Sequence, residues 1–230
     1  MEDQEHAVSG GSPGRPRGVK AEETRQRILD AAEKLFSENS FNGVTIRQVA
    51  NLSGVNTALL HYYFVNKRGL FESVFERRAA ELNSERMAAL EAYSRSTEKP
   101  TVKGAMSAFL GPILERAASG EVFWKTYFAL IAQVSNTPEL GGDMMSRHFD
   151  PVIQRLLDVI QQALPNADRE NLYWCYQLFS GSIMLTLSQN GRVDRLSDGL
   201  CRSDDLAAIF DRLIPYSAAG FAAVCEDTVE

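Results

Sequence analysis

Cysteine is scarce in this 230-residue chain: Cys175, Cys201 and Cys225 stand far apart, with no C-x-x-C pair. That excludes a disulfide framework and a zinc-ribbon pattern. What remains is small buried or idle thiols in a reducing compartment, or a redox sensor. Histidine is as sparse. His6, His61 and His148 are isolated, and no H-x-x-x-H pair, G-x-S-x-G elbow or Walker-type loop occurs. No catalytic constellation can be assembled from these residues, so the expectation is a protein that is not an enzyme and needs no cofactor. The first twenty residues are polar and glycine-rich and lack the apolar region of a secretory leader. The longest apolar stretch, around residues 178–187, is interrupted by Ser and Gly. It falls short of the ~20 residues that a membrane span requires. A soluble, cytoplasmic chain without a membrane partner is expected. Alternating Val/Ile/Thr runs bounded by turns are missing too, as is any internal repeat, so no sheet is expected.

A strong positive charge is also absent, since the chain carries a net −6. The average hides an asymmetry. Residues 12–78 hold eleven Lys/Arg against seven Asp/Glu, a local +4, while the first eleven residues contribute −3 and residues 79–230 contribute −7. A basic end on an acidic body suits a protein that meets a polyanion at one end only.

The chain does have helical periodicity. Ile28, Ala31, Ala32, Leu35 and Phe36 share one face, with charged residues filling the other. Asn39 and the Phe41-Asn42-Gly43 turn end this helix. Thr45 and Gln48 have capping-box spacing for a second, short helix that Ser53-Gly54 stops. Asn56 can cap a third helix, from Thr57 to about Tyr62, and Asn66 a long fourth one, from Lys67 to about Tyr93. Further helices are expected over 101–118, 121–135, 143–164 (broken near Asp150-Pro151), 167–189 and 203–225, the last kinked at Pro215. The fold class is therefore all-α.

Two short helices joined by a tight glycine turn, behind a longer supporting helix, form a helix-turn-helix pattern. Val49, Ala50, Val55, Leu59 and Leu60 must pack the pair, and Ala50 must be small where the helices cross. An ordinary helical hairpin in a protein-binding adaptor is the alternative, but it does not need a capped Thr45 helix, a Gly54 turn and basic flanks in register. Ahead of this unit lie Arg15 and Arg17 in a Gly/Pro-rich segment. They can enter a narrow A·T-rich minor groove, or form only a solvated basic tail.

From Thr24 to about Phe75, in the run TRQRILDAAEKLFSENSFNGVTIRQVANLSGVNTALLHYYFVNKRGLF, the chain resembles the tetracycline-repressor (TetR) family of bacterial regulators. The resemblance rests on Ile28 to Ala32, Leu35-Phe36, Phe41 with Thr45, Ala50, Gly54-Val55, Tyr62-Tyr63-Phe64, Lys67 and Leu70-Phe71 at matching spacing. It implies an N-terminal helix-turn-helix domain (21–66) behind a disordered arm (1–20). A C-terminal helical bundle (67–230) would bind a ligand and form a homodimer on palindromic double-stranded operator DNA. Carried over by position, it implies that Thr45 and Arg47 meet phosphate or a base edge. Asn56, Thr57, Ala58, His61 and Tyr62 would face the major groove, and Lys67 a phosphate at a helix start. Tyr63 and Phe64 read as core. The family commonly has Tyr-Tyr-His-Phe-Gly-Ser-Lys where this chain has His61 to Lys67, so Val65 replaces a glycine. Asn66 can still cap there.

The C-terminal part resembles, more faintly, the PsrA-like fatty-acid-responsive branch. Its helices at 172–187 and 206–221 are apolar nearly all round and read as a four-helix dimer interface, with Ile183 and Phe210 at the contact. Phe109, Trp124, Phe128, Phe149 and Trp174, with Gln133 or Gln177 as polar groups, are candidates to line a cavity for a hydrophobic small-molecule effector. The alternative is that the aromatic residues are simply core.

Overall fold

A computed structural model describes residues 17–226, and every regular element among them is an α-helix. In chain order these are α1 (Arg17–Gly43), α2 (Ile46–Ser53), α3 (Thr57–Phe64), α4 (Lys67–Ser96), α5 (Val102–Ala118), α6 (Val122–Ser135), α7 (Pro138–Ala163), α8 (Arg169–Leu187), α9 (Arg192–Leu196) and α10 (Leu206–Glu226). The expected arm is corrected at its end, because residues 17–20 already belong to α1. The Tyr63 hydroxyl of α3 donates to the Ala21 carbonyl at 3.1 Å, and Thr24 Oγ1 donates to the Lys20 carbonyl at 2.8 Å. These bonds hold the first turns of α1 helical. Arg15 lies outside the described residues, and Arg17 is where α1 starts.

Of the periodic face of α1, Ile28, Ala31, Ala32 and Phe36 are buried and Leu35 is half-buried. Phe36 meets Phe71 edge-on at 5.0 Å, and Phe41 meets Phe71 at 5.0 Å, which joins α1 to the start of α4. At 1.5 Å per residue, α4 spans about 45 Å. It packs against α1 and α3, and also against α5 and α7. The two halves of the molecule therefore share one continuous helix. α1 reaches across as well, packing on α2 and on α6.

The expected break at Asp150-Pro151 does not occur. α7 runs unbroken through Pro151, because Phe149, Val152, Ile153, Leu156 and Leu157 are all buried on its inner face. Packing on both sides of the proline outweighs the lost hydrogen bond. Asn83 of α4 donates to the His148 carbonyl at 2.7 Å, next to the Arg147 carbonyl that Pro151 leaves without its helical donor. The short α9 has no apolar stripe and was not expected.

α8 and α10 are two-faced rather than apolar all round. α8 buries Leu172, Cys175, Phe179, Ile183 and Leu187 and exposes Tyr173, Trp174, Leu178 and Leu185. Ile183 and Phe210 are thus core residues of the chain itself, which corrects their reading as contacts between subunits. α10 packs on α5 and α8. Its residues 206–225, with a mean hydropathy of 1.2, are long and apolar enough to cross a membrane by length and composition, a longer apolar segment than the one around 178–187. Leu206, Phe210, Leu213, Phe221 and Cys225 on this helix are buried against the rest of the chain.

Candidate nucleic-acid interface and effector cleft

α2 starts at a reciprocal cap. The Gln48 N–H donates to the Thr45 hydroxyl at 3.3 Å, and the Thr45 N–H donates to Gln48 Oε1 at 2.8 Å. Two of the amide donors left over at a helix start are thereby satisfied. α2 stops because Gly54 turns into the left-handed region (φ 69°, ψ 32°), where a Cβ is costly. The Gly54 N–H returns to the Ala50 and Asn51 carbonyls, and the Val55 N–H to Ala50 at 3.1 Å. Asn56 Oδ1 then accepts from the Leu59 N–H at 2.7 Å and starts α3. Ala50 is 2 % exposed, with Val49 and Leu60 buried beside it. Two short helices are therefore locked at a fixed angle by caps, turn and core.

Thr45, Arg47, Asn56, Thr57, Ala58, His61 and Tyr62 are all exposed on this unit. Tyr62 is exposed to 80 %, an unusual position for a tyrosine without a partner molecule. Asn51 is exposed one turn after Arg47 on the same face of α2. Sequence reasoning passed over it, although the four-residue spacing was a usable signal. Of the two aromatic residues read as core, Phe64 is buried, while Tyr63 is half-buried.

The Lys67 ammonium donates to the Val44 carbonyl at 3.0 Å and lies 4.4 Å over the Phe41 ring. Half-buried, it ties the α1–α2 connection to the start of α4, and that bond takes one of its three N–H donors. Val65 is strained. It has φ 61° and ψ −55°, and the Asn66 N–H donates to the Phe64 carbonyl at 2.5 Å across it, a tight γ-turn. Asn66 does cap α4, accepting from the Gly69 N–H at 2.9 Å. His61 Nδ1 lies 2.9 Å from the Val65 carbonyl and braces the same turn.

Behind this unit an ion-pair network joins α1 to α4 and α5. Glu33 of α1 is 5 % exposed and receives Arg77 and Arg78 of α4, the latter at 2.9 Å. Arg77 also reaches Asp30 at 2.7 Å. Arg116 of α5 binds Glu81 at 2.8 Å and Glu85. Burial opposes the Arg78 charge, but hydrogen bonds to Glu33 and the charges of Glu33 and Glu81 outweigh it and hold the guanidinium above its ordinary pKa. The guanidinium also lies 3.9 Å over the Phe123 ring of α6.

A cleft among the C-terminal helices holds about 1000 Å³. Gln133, Met145, Phe149, Tyr176, Gln177 and Met184, from α6, α7 and α8, line it. Phe149 and the two glutamines therefore stand where a lining was expected. Phe109 and Trp124 do not: they are buried in the core, Phe109 with its ring 6.5 Å from that of Phe179. Phe128 borders a separate, smaller cleft next to α5 and the start of α10. Trp174 is 61 % exposed on the outer face of α8 and cannot line an interior cavity. Periodicity identified these residues as apolar but could not say which way each helix was turned. The Cys175 and Cys225 thiols meet between α8 and α10, and burial pushes Cys175 up to about 12.

A tight glycine turn between two capped short helices, carried on a long helical body, defines the helix-turn-helix class. The model of the bacterial regulatory proteins of the tetR family matches residues 28–74, and that of the tetracyclin repressor-like C-terminal domain matches residues 107–220. The chain belongs to the TetR family. Its N-terminal part is 42 % identical over 67 residues to the HTH-type transcriptional repressor NicS of Pseudomonas putida; the match covers 29 % of this chain and spans about a third (32 %) of NicS. The fold is like that of a tetR-family transcription regulator from Shewanella sp. PV-4 (TM-score 0.60, 18 % identity, covering 86 % of this chain and 97 % of that one). It is also like FadR from Bacillus subtilis, crystallised with stearoyl-CoA (TM-score 0.50, 16 % identity, 85 % and 98 %).

Proposed function

We propose that the chain is a cytoplasmic transcriptional repressor that binds palindromic operator DNA as a homodimer and is released by a hydrophobic small molecule held in the cleft of α6, α7 and α8. The observation that carries this reading is the rigid face of α2 and α3, with Arg47, Thr57, Ala58, His61 and Tyr62 exposed together. A helix of this kind fits the major groove with its N-terminal residues at base edges. The cap of α2 keeps Thr45 and Arg47 at the phosphate side. The exposed residues Trp174, Leu178, Leu185 and Tyr216 form an apolar face on α8 and α10, and an isologous contact there would match the two-fold symmetry of an operator. An acyl chain fits the cleft, whose walls include Met145, Phe149 and Met184. The stearoyl-CoA carried by the similarly folded FadR supports that choice of ligand class.

The cleft and the DNA-facing unit are linked by the shared α4 and by the Glu33–Arg77/Arg78 network. A ligand acts through them only if it binds one spacing of the two reading heads better than the other. Selection from random duplexes, followed by gel shifts over a salt series, tests the DNA reading. Arg47→Ala should weaken binding to every selected duplex and reduce the salt slope by about one counterion. Changes at Thr57 and Ala58 should instead alter which duplex is preferred. Failure of the wild-type chain to select any duplex would overturn the reading.

A further inference from the structure

Next to the cleft the chain buries a cation that no carboxylate among the described residues answers. Arg86 of α4 is 4 % exposed, and among the described residues no Asp or Glu oxygen lies within 4 Å of its guanidinium. Nη1 donates to Asn83 Oδ1 at 3.2 Å, the Phe109 ring lies 4.3 Å beneath, and Nε has no acceptor. The Tyr127 hydroxyl, 1 % exposed, also lacks a hydrogen-bond partner. Two orphaned buried donors in one neighbourhood are costly, and an arginine that is almost fully buried is normally paired. A neutral amide and a ring face offset only part of that cost.

Desolvation brings the Arg86 pKa down to about 10, countered by the adjoining Tyr127 and Tyr176 phenols, so the group is still cationic at neutral pH. Burial drives Tyr127 the other way, upward, which keeps its hydroxyl a donor. Tyr176 connects the two regions: it lines the cleft and is also among the groups that face Arg86. The cleft-lining Phe149 leads inward as well, with its ring 5.9 Å from Phe75, which is 5.7 Å from Tyr127.

We infer that the effector carries a carboxylate group, which Arg86 and the Tyr127 hydroxyl bind at the inner end of the cleft, with its apolar body in the cleft itself. This inference rests on the reading of the cleft as an effector site, and it makes that reading narrower. One guanidinium fork with one hydroxyl matches the two oxygens and single charge of a carboxylate. It does not match a coenzyme A thioester, whose acyl carbonyl carries no charge and whose several phosphates need several cations. A free acid is therefore favoured over its thioester. Asp150, which also lines the cleft, disfavours a second negative charge there.

Matched probes test this on the full-length protein: dodecanoate against dodecanol and dodecanoyl-CoA, and 2-naphthoate against 2-naphthol. Binding is followed by calorimetry and by the fluorescence of Trp124, whose ring is 5.8 Å from Tyr127. At least one acid should bind wild type about ten- to a hundredfold more tightly than its alcohol, the range of a charge-assisted hydrogen bond. Arg86→Gln should remove that preference by weakening the acid alone, and Arg86→Lys should restore part of it. Thermal melts establish that the variants fold, and Arg86→Gln should melt no lower than wild type because it removes an unpaired buried charge. Equal affinity for acid and alcohol, tighter binding of the thioester, or no binding of any acid would overturn the inference, and each is read on wild type alone. Equal weakening of acid and alcohol by Arg86→Gln would overturn it too. DNA binding by ligand-free protein is scored separately, so a failure of the regulator reading is distinguishable from a failure of this one.

Discussion

At the scale of single residues, Val65 occupies the least comfortable position next to the DNA-facing unit. Its φ of 61° belongs to a region that a β-branched side chain avoids. Such strain costs about 1–3 kcal/mol, whereas a glycine there would cost about 0.5–1 kcal/mol through its freer unfolded chain. The strain is the larger quantity. Val65→Gly should therefore stabilise the protein by about 1 kcal/mol, seen as a higher urea midpoint at unchanged slope. An unchanged or lower midpoint would mean that the γ-turn is relaxed. That a valine replaces the family's glycine was readable in the sequence. That the replacement is strained was not, because φ at Val65 follows from how α3 and α4 meet and from the bonds of His61 and Asn66.

At the scale of elements, α1 does more than support the two short helices. It reaches α6, and its Glu33 gathers two arginines from α4. Glu33→Gln would leave Arg77 and Arg78 largely desolvated, with Asp30 and Glu81 still beside them. Removing one partner of a fully buried pair costs about 3–5 kcal/mol. The retained acidic partners and the arginines' residual exposure of 19 % and 16 % lower the expected loss to about 2 kcal/mol. Urea unfolding checks this, and a loss under about 0.5 kcal/mol would place the network among surface pairs of little weight. Glu33 lies on the charged side of the helical pattern and reads there as solvated. Only the approach of α4 shows it to be buried. α7 teaches the same lesson, since a local rule places a break at Pro151 and packing on both sides overrides it.

At the scale of the whole molecule, assembly turns on which face of α8 looks outward. Leu178 is 70 % exposed and Trp174 61 %, while Ile183 is 3 % exposed. Leu178→Asp should give a folded monomer, because a symmetric contact would bury the new carboxylate twice. Several kcal/mol of desolvation correspond to a loss of roughly a thousandfold or more in dimer affinity. Sedimentation equilibrium would show it, and a wild-type chain that is monomeric at micromolar concentration would remove the proposed interface. Ile183→Asp would instead damage folding. From the sequence alone came the all-helical class, the capped short helices at Thr45 and Asn56, the Gly54 turn and the family to which they belong. Those features depend on contacts within a few residues, and local spacing records them. The tertiary structure alone decided that Lys67 turns inward, that Trp174 faces outward while Trp124 is core, and that Arg86 is buried with no carboxylate among the described residues beside it. Each of these depends on how a helix is rotated against neighbours distant in the chain, and an apolar or charged residue reads the same in sequence whichever way its helix is turned.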